Sequence, residues 1–182
     1  MEKKTNTKSL AISAILVALA TALGYITLFR MPQGGSITPL SMLVIVLAGY
    51  FFGFRRGFIV GVAVGLLNLM FTPYIIHPIQ VMLDYPLAFG ALAIGSFMSG
   101  WGKYSIFPVY VMGVFGKFLC SVLSGVIFFS QFTPEGFNPW TWSIFYNGSF
   151  MGVEALITIA VLCIPYVRNT IEKLRQMAQR DF

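Results

Sequence analysis

Six long apolar segments alternate with short polar segments along this 182-residue chain. A helix needs about 20 mostly apolar residues to cross a bilayer, and each apolar segment is close to that length or extends to it through its flanks. The second and third segments are separated only by Gly53, Phe54, Arg55 and Arg56, which indicates a tight hairpin. The pattern therefore predicts six membrane-spanning helices, at residues 9–29, 39–54, 57–72, 78–100, 104–130 and 141–167.

The composition supports an integral membrane protein. Hydrophobic residues make up 57% of the chain and charged residues only 10%, whereas an average soluble domain has roughly 25% charged residues. We expect residues 1–182 to form a single all-α membrane domain with no soluble module. The net charge of +6 does not require a nucleic acid partner, because the basic residues fall in short loops and tails, where the positive-inside rule places them.

The distribution of Lys and Arg predicts the orientation in the bilayer. If the N-terminus is cytoplasmic, the only basic residue in the outside segments is Arg30. The inside segments then carry Lys3, Lys4, Lys8, Arg55, Arg56, Lys103, Arg168, Lys173, Arg175 and Arg180. This asymmetry predicts that both termini are inside. The basic, amphipathic C-terminal residues 171–182 fit either a helix at the cytoplasmic face or a solvated tail.

Three ionisable side chains lie within the predicted spans: Asp84, Lys117 and Glu154. Such groups cost at least ~2.5 kcal/mol each on insertion scales, so they are functional candidates by default. Lys117 and Glu154 lie at similar depth on consecutive helices, which predicts a structural ion pair. Asp84 has no obvious cation at its depth, and we expect its carboxylate to attract a cationic or amine-bearing ligand.

Aromatic and polar residues cluster near the depth of Asp84, namely Tyr85, Phe129, Trp142, Phe145 and Tyr146. Aromatic faces bind flat rings and cations, but aromatic residues also line membrane interfaces, which alone could explain Tyr74 and Trp140. Ser121 and Asn147 could orient a ligand or join helices. His77, followed by Pro78, fits a helix start. We find no catalytic or metal-binding constellation in the sequence.

Glycine, proline and small residues suggest two further features. Residues 30–39, RMPQGGSITP, predict an irregular loop able to cover a site. Small residues four positions apart, such as Gly57, Gly61 and Gly65, let helices pack closely. The same spacing at Ala14 and Ala18 could instead dock a partner helix.

Four strings in this chain are specific enough to indicate a family: MPQGGSIT, HPIQ followed by LDYPLAF, SGVIFF with SQF, and YNGS. They resemble the thiamine-specific substrate-binding subunit, or S component, of energy-coupling factor transporters, over essentially the whole chain. The resemblance implies a six-helix S-component fold in a bacterial plasma membrane, without enzymatic activity or a cofactor. Such a subunit captures a vitamin from outside and then associates with a transmembrane coupling subunit and two cytoplasmic ATPases.

The resemblance also assigns residues. It implies that Ala14 and Ala18 contact the coupling subunit and that the segment with Pro32, Gly34 and Gly35 is a gate. With the aromatic and polar candidates above, the expected ligand-binding residues are Asp84, Tyr85, Ser121, Gly125, Phe129, Trp142, Tyr146 and Asn147. Ser121 replaces the family's histidine, while Phe129 and Trp142 are variant aromatic positions.

The differences from the family at these three positions leave other functions open. Loss of the histidine ring leaves more room, so the ligand could be hydroxymethylpyrimidine or a pyridoxine-type vitamin instead of thiamine. A proton-coupled transporter that works alone, with Lys117, Glu154 and Asp84 as its relay, is an alternative from another class. A small intramembrane enzyme has little support in the sequence.

Overall fold

The structure, a computed structural model, describes residues 7–102 and 104–180. Its helices are α1 (Thr7–Tyr25), α2 (Ser41–Phe52), α3 (Phe54–Phe71), α4 (Pro78–Met98), α5 (Ile106–Phe128), α6 (Pro139–Cys163) and α7 (Pro165–Arg180). Lys3, Lys4 and Lys103, which contribute to the predicted orientation, lie outside the described residues.

All six predicted helical segments are present, but they differ in length. In the part of the chain that is described, five helices (α1, α3, α4, α5 and α6) are long and apolar enough to cross a membrane. Helix α2 has only 12 residues and most of them are buried, so it forms the centre of the hydrophobic core. The structure therefore confirms a helical fold with five candidate membrane spans, and whether α2 forms a sixth span stays a prediction.

Two helix boundaries follow from single residues. Gly53 joins α2 to α3 with a φ of +84°, a left-handed conformation that glycine adopts without the strain of a Cβ atom. The predicted sixth span continues to residue 167, but α6 ends at Cys163. Pro165 has no N–H to continue the hydrogen-bond ladder, so the chain bends there and α7 begins.

The loop between α1 and α2 contains a small β-hairpin. Strands β1 (Phe29–Arg30) and β2 (Ser36–Ile37) pair antiparallel, with Phe29 opposite Ile37. Gly34, with a φ of +93°, reverses the chain between them, and the Met31 N–H donates to the Gly35 carbonyl at 2.6 Å. The sequence predicted an irregular loop at residues 30–39, and this short hairpin corrects that prediction. We call residues 26–40 the cover loop.

The glycines of α3 bring neighbouring helices into backbone contact, as predicted. A Cβ atom on Gly57 would lie 2.8 Å from the Gly49 nitrogen of α2, and one on Gly65 would lie 2.8 Å from the Tyr85 carbonyl carbon of α4. Real Cβ atoms essentially never approach other heavy atoms below 3.0 Å. Helix α3 therefore packs against α2 and α4 at its glycines, where the absence of side chains lets the backbones come close.

Helix α4 is irregular around Pro86. The proline has no N–H for the i to i−4 hydrogen bond, and residues Leu83–Leu87 form a π-helical turn. Such single wide turns often occur at functional sites. Here the wide turn contains Asp84 and Tyr85.

Helix α7 packs against the opposite end of the bundle. The Tyr50 hydroxyl donates to Glu172 at 2.8 Å, and a guanidinium N–H of Arg175 donates to the Ser99 carbonyl at 2.7 Å. The Arg175 guanidinium also lies 4.4 Å from the centre of the Tyr50 ring. These contacts join α7 to the ends of α2 and α4. Of the two alternatives left open for the C-terminal residues, the structure therefore shows a helix, which is docked on the bundle.

Candidate ligand-binding site

A cavity of about 480 Å³ lies under the cover loop, at the end of the bundle away from α7. It is walled by parts of α1, α2, α3, α4, α5 and α6, and this volume suits a small organic ligand. All eight residues that we expected to bind a ligand line it: Asp84, Tyr85, Ser121, Gly125, Phe129, Trp142, Tyr146 and Asn147.

Asp84 lies in the cavity wall and is partly buried. One of its carboxylate oxygens accepts a hydrogen bond from the Gln80 side-chain amide at 2.6 Å. No ion pair to Asp84 is present among the described residues. The binding of a cationic ligand by Asp84 stays a prediction.

Gln80 is a residue that sequence reasoning missed. Its side chain is only 1% exposed. Besides Asp84, it donates to the Tyr74 carbonyl at 3.1 Å and accepts from the Ile76 N–H at 3.1 Å. Gln80 therefore holds the segment before α4 and fixes the Asp84 carboxylate. Its position four residues before Asp84, on the same helix face, is the signal that could have found it.

Tyr85 lines the cavity, but its hydroxyl is already engaged. The hydroxyl donates to the Thr72 carbonyl at 3.1 Å and accepts from the Tyr74 N–H at 2.8 Å. The expectation that Tyr85 binds a ligand stays a prediction. In this structure the hydroxyl positions the segment between α3 and α4, and the ring forms part of the wall.

Aromatic rings form the outer part of the cavity. The Phe129 and Tyr74 rings stack, with centroids 5.7 Å apart and planes inclined by 23°. The Trp142 ring lies 6.2 Å from that of Tyr146. Tyr74 lines the cavity, so a place in the membrane-interface belt does not fully account for it. Trp140 does not line the cavity and is 53% exposed, which fits a belt residue.

Asn147 connects α6 to α5. Its amide N–H groups donate to the Ser143 carbonyl at 3.0 Å and approach the Ser121 carbonyl at 3.4 Å. Its carboxamide oxygen accepts no hydrogen bond from the described residues, which leaves an acceptor for a ligand. A Cβ atom on Gly125 would lie 3.0 Å from the Ser143 Cβ, so glycine allows α5 and α6 to meet at this point.

The predicted ion pair between Lys117 and Glu154 is not formed. Both residues line the cavity, but the Lys117 ammonium lies 4.0 Å from the centre of the Phe89 ring. The buried Glu154 carboxylate accepts hydrogen bonds from Thr38, Ser41 and Met42 instead. The prediction is wrong because the cover loop and the start of α2 bring four N–H and O–H donors to Glu154.

The predicted gate residues lie against α6. The Tyr146 hydroxyl donates to the Pro32 carbonyl and accepts from the Gly35 N–H at 3.1 Å. A Cβ atom on Gly35 would lie 2.8 Å from that hydroxyl oxygen, so this contact requires glycine. Gly34 and Gly35 line the cavity. The cover loop is thus held over the cavity by a side chain of the cavity wall.

The remaining predicted residues lie away from the cavity. His77 caps α4, where its side chain accepts from the Ile79 N–H at 3.1 Å and Pro78 takes the first helical position. Ala14 and Ala18 are exposed on one face of α1, next to Leu10 and Ile15, each 63% exposed. In the described part of the chain, no group of three His, Cys, Asp or Glu side chains could hold a metal ion.

The chain matches the thiamine transporter protein family (Thia_YuaJ) over residues 10–173. It is 31% identical over 169 residues to the thiamine transporter ThiT of Bacillus subtilis strain 168, covering 85% of this chain and 88% of that protein. It is 26% identical over 170 residues to ThiT of Lacticaseibacillus paracasei, covering 82% of each. A solved structure of ThiT from Listeria monocytogenes has the same fold, with a TM-score of 0.76 at 24% identity over 92% of this chain and 96% of that one.

These similarities agree with the apolar helices of the structure. The relatives are bacterial membrane transporters, which separates this chain from enzymes and from soluble proteins. The resemblance seen in the four sequence strings is confirmed. By its match over most of its length and by its fold, this chain belongs to the thiamine transporter protein family.

Proposed function

We propose that this protein is the S component of an energy-coupling factor importer, which captures thiamine in the cavity under the cover loop. A transmembrane coupling subunit and two cytoplasmic ATPases would then drive its delivery into the cell. We further propose that both termini are cytoplasmic and that α2 completes a six-span bundle. In that orientation the cover loop and the cavity face the outside, where the vitamin arrives.

Asp84 is the residue that most supports thiamine as the ligand. Thiamine carries a permanent positive charge on its thiazolium ring, and Asp84 is a carboxylate at the cavity wall that forms no salt bridge with the described residues. Besides Asp84, the charged residues that line the cavity are Glu154, Lys117 and the exposed Arg30 of the cover loop. Two carboxylates and two cationic groups leave the lining without net charge when all four are ionised, so a cationic ligand would be attracted by Asp84 in particular.

The other walls match the two rings of thiamine. Phe129 and Trp142 offer aromatic faces, on which flat and cationic rings stack. The free carboxamide oxygen of Asn147 can accept a hydrogen bond from the amino group of the pyrimidine ring. Ser121 provides a hydroxyl, and Gly125 allows the ligand to approach the backbone of α5.

Ser121 keeps a second ligand class open. Because serine replaces the family's histidine, hydroxymethylpyrimidine or a pyridoxine-type vitamin could fit the same cavity. Competition against radiolabelled thiamine distinguishes these ligands, since only thiamine has a permanent cation. We expect thiamine to compete best; stronger competition by a neutral pyrimidine or pyridine would show that the substrate differs.

Uptake measurements in whole cells test the energising mechanism. We expect cells that express this chain together with a coupling subunit and two ATPases to accumulate thiamine. Cells that express the chain alone should bind the vitamin without accumulating it. Accumulation by the chain alone, abolished by an uncoupler, would instead favour the proton-coupled transporter.

The exposed face of α1 gives a prediction about the coupling subunit. Replacing Ala18 with tryptophan puts a large ring on the surface that we propose to contact that subunit. We expect uptake to fall at least about tenfold, because small residues allow the close helix approach, while thiamine binding by the purified protein stays the same. Leu156→Trp, at a position that is 69% exposed on α6, is the matched control. Equal losses in both variants would contradict the assignment.

The Tyr146 contact gives a prediction about ligand release. Tyr146→Phe keeps the ring but removes the hydroxyl that bonds Pro32 and Gly35. At a net contribution of about 1 kcal/mol per hydrogen bond, loss of one or both bonds predicts thiamine dissociation about five- to thirtyfold faster. Stopped-flow fluorescence measures this rate, with Tyr166→Phe at a position 79% exposed on α7 as the control. An unchanged rate would mean that the hydroxyl does not hold the loop closed.

A further inference from the structure

Glu154 is buried in the middle of α6, yet all of its hydrogen-bond partners lie in the cover loop and at the start of α2. One carboxylate oxygen accepts from the Thr38 hydroxyl at 2.8 Å and from the Thr38 N–H at 3.3 Å. The other accepts from the Ser41 hydroxyl at 3.1 Å and from the Met42 N–H at 3.2 Å. Glu154 is 3% exposed and Met42 is 1% exposed, so these bonds are buried within the bundle.

These bonds replace a missing helix cap. The first N–H groups of a helix have no partner within the helix and are usually satisfied by a polar N-cap side chain. The N-cap position of α2 is Leu40, which cannot serve, and it has a left-handed backbone with a φ of +60°. The carboxylate of Glu154 takes this role from another helix, and its charge also suits the positive end of the helix dipole.

Helix α6 consequently holds the cover loop at two points. Tyr146, about two turns from Glu154 on the same helix, bonds the turn at Pro32 and Gly35. Glu154 bonds the end of the loop, where β2 leads into α2. The Tyr146 contact is at the partly exposed rim, whereas the Glu154 contact is buried and has four donors.

We infer that Glu154 is a positioning residue that fixes the end of the cover loop to α6 and so sets the loop in place over the cavity. The loop would open at the Tyr146 end and remain attached at the Glu154 end. This inference deepens the proposed function and rests on it only for the loop's role as a gate. Of the other charged groups that line the cavity, Lys117 and Asp84 form no hydrogen bond to the described residues of the cover loop, and Arg30 belongs to the loop itself.

Hydrogen exchange of the backbone amides tests this inference without a ligand. Peptides from residues 26–37 contain the hairpin, whose Leu28, Met31 and Gly35 amides are hydrogen-bonded but do not touch Glu154. In Glu154→Gln we expect exchange across this segment to be about tenfold faster, because the glutamine NH2 cannot accept two of the four hydrogen bonds and the loop is held less tightly. A cap that acts only locally would change exchange at Thr38 and Met42 alone.

Two other variants complete the test. Thr38→Val removes the shortest of the four bonds and leaves the sequence of α6 unchanged. We expect it to make amide exchange in residues 26–37 faster, which tests the inference even if Glu154→Gln does not fold. Tyr50→Phe removes a hydroxyl that bonds Glu172 and Ser105 at the opposite end of the bundle. It controls for general destabilisation and should leave exchange in residues 26–37 unchanged.

The outcomes separate this inference from the proposed function. Unchanged exchange in residues 26–37 of Thr38→Val and Glu154→Gln, or equal acceleration in Tyr50→Phe, would overturn the role of Glu154. Protection of the cover loop by added thiamine in the unaltered protein tests the ligand. If thiamine does not slow exchange in the cover loop, thiamine as the ligand is contradicted. Faster exchange confined to Glu154→Gln and Thr38→Val would in that case still support the positioning role of Glu154.

Discussion

Replacing Asp84 with asparagine is expected to weaken thiamine binding by about a hundredfold, the largest effect on binding of any single change proposed for this protein. Asparagine has nearly the same shape and can still bond Gln80, but it removes the negative charge that we propose to attract the thiazolium ring. Truncating or neutralising one partner of a buried charge pair typically costs 2 kcal/mol or more, and about 2.7 kcal/mol corresponds to this factor. Isothermal titration calorimetry of the purified protein measures it directly.

The control for this change removes a different carboxylate. Glu135 lies in the loop before α6, does not line the cavity and is exposed. We expect Glu135→Gln to leave the Kd unchanged, so a general effect of net charge would be visible as a change in both variants. An Asp84→Asn protein that binds thiamine as tightly as the unaltered chain would remove the main argument for a cationic ligand at this site.

The second large effect concerns stability. Gly65→Ala is expected to destabilise the fold by about 2 kcal/mol or more, because overpacking against a rigid neighbour cannot be relieved by a side-chain rotation. The added Cβ would lie 2.8 Å from the Tyr85 carbonyl carbon and 3.2 Å from the Phe89 Cβ. The π-helical turn that carries Asp84 would be displaced, so thiamine binding should weaken as well.

Gly152 provides the matched control for this prediction. It lies in α6, and a Cβ atom placed on it would meet nothing within 4 Å. Because alanine has the higher helix propensity, Gly152→Ala should leave the melting temperature unchanged or raise it slightly. Thermal unfolding followed by circular dichroism compares the two variants. Equal melting temperatures for Gly65→Ala and Gly152→Ala would show that the close approach of α3 to α4 is not rigid.

The sequence was informative about helices because apolar segment length and breaking residues are local signals. Gly53 places the α2–α3 hairpin, and His77 with Pro78 places the start of α4. The glycine spacing on α3 correctly predicted close packing. The cover-loop hairpin was not predictable, because strands of two residues are too short to show an alternating pattern.

The sequence predicted which residues line the cavity, but it predicted few of the contacts that their side chains make. Intramembrane charge drew attention to Asp84, and depth along the helices predicted that Lys117 would pair with Glu154. Depth gives only the position along a helix axis, whereas partners depend on helix rotation and on how loops fold back. The cover loop brings Thr38 to Glu154, and the segment before α4 occupies the Tyr85 hydroxyl. Neither contact is local in the sequence.

The most direct test of the central claim is a titration of the purified protein with thiamine, followed by tryptophan fluorescence. Of the three tryptophans, Trp142 lines the cavity, while Trp101 and Trp140 are 70% and 53% exposed and lie outside it. We predict saturable quenching at submicromolar thiamine that disappears in Trp142→Phe. No response to thiamine, together with a response to a neutral pyrimidine or pyridine vitamin, would contradict thiamine as the ligand of this cavity.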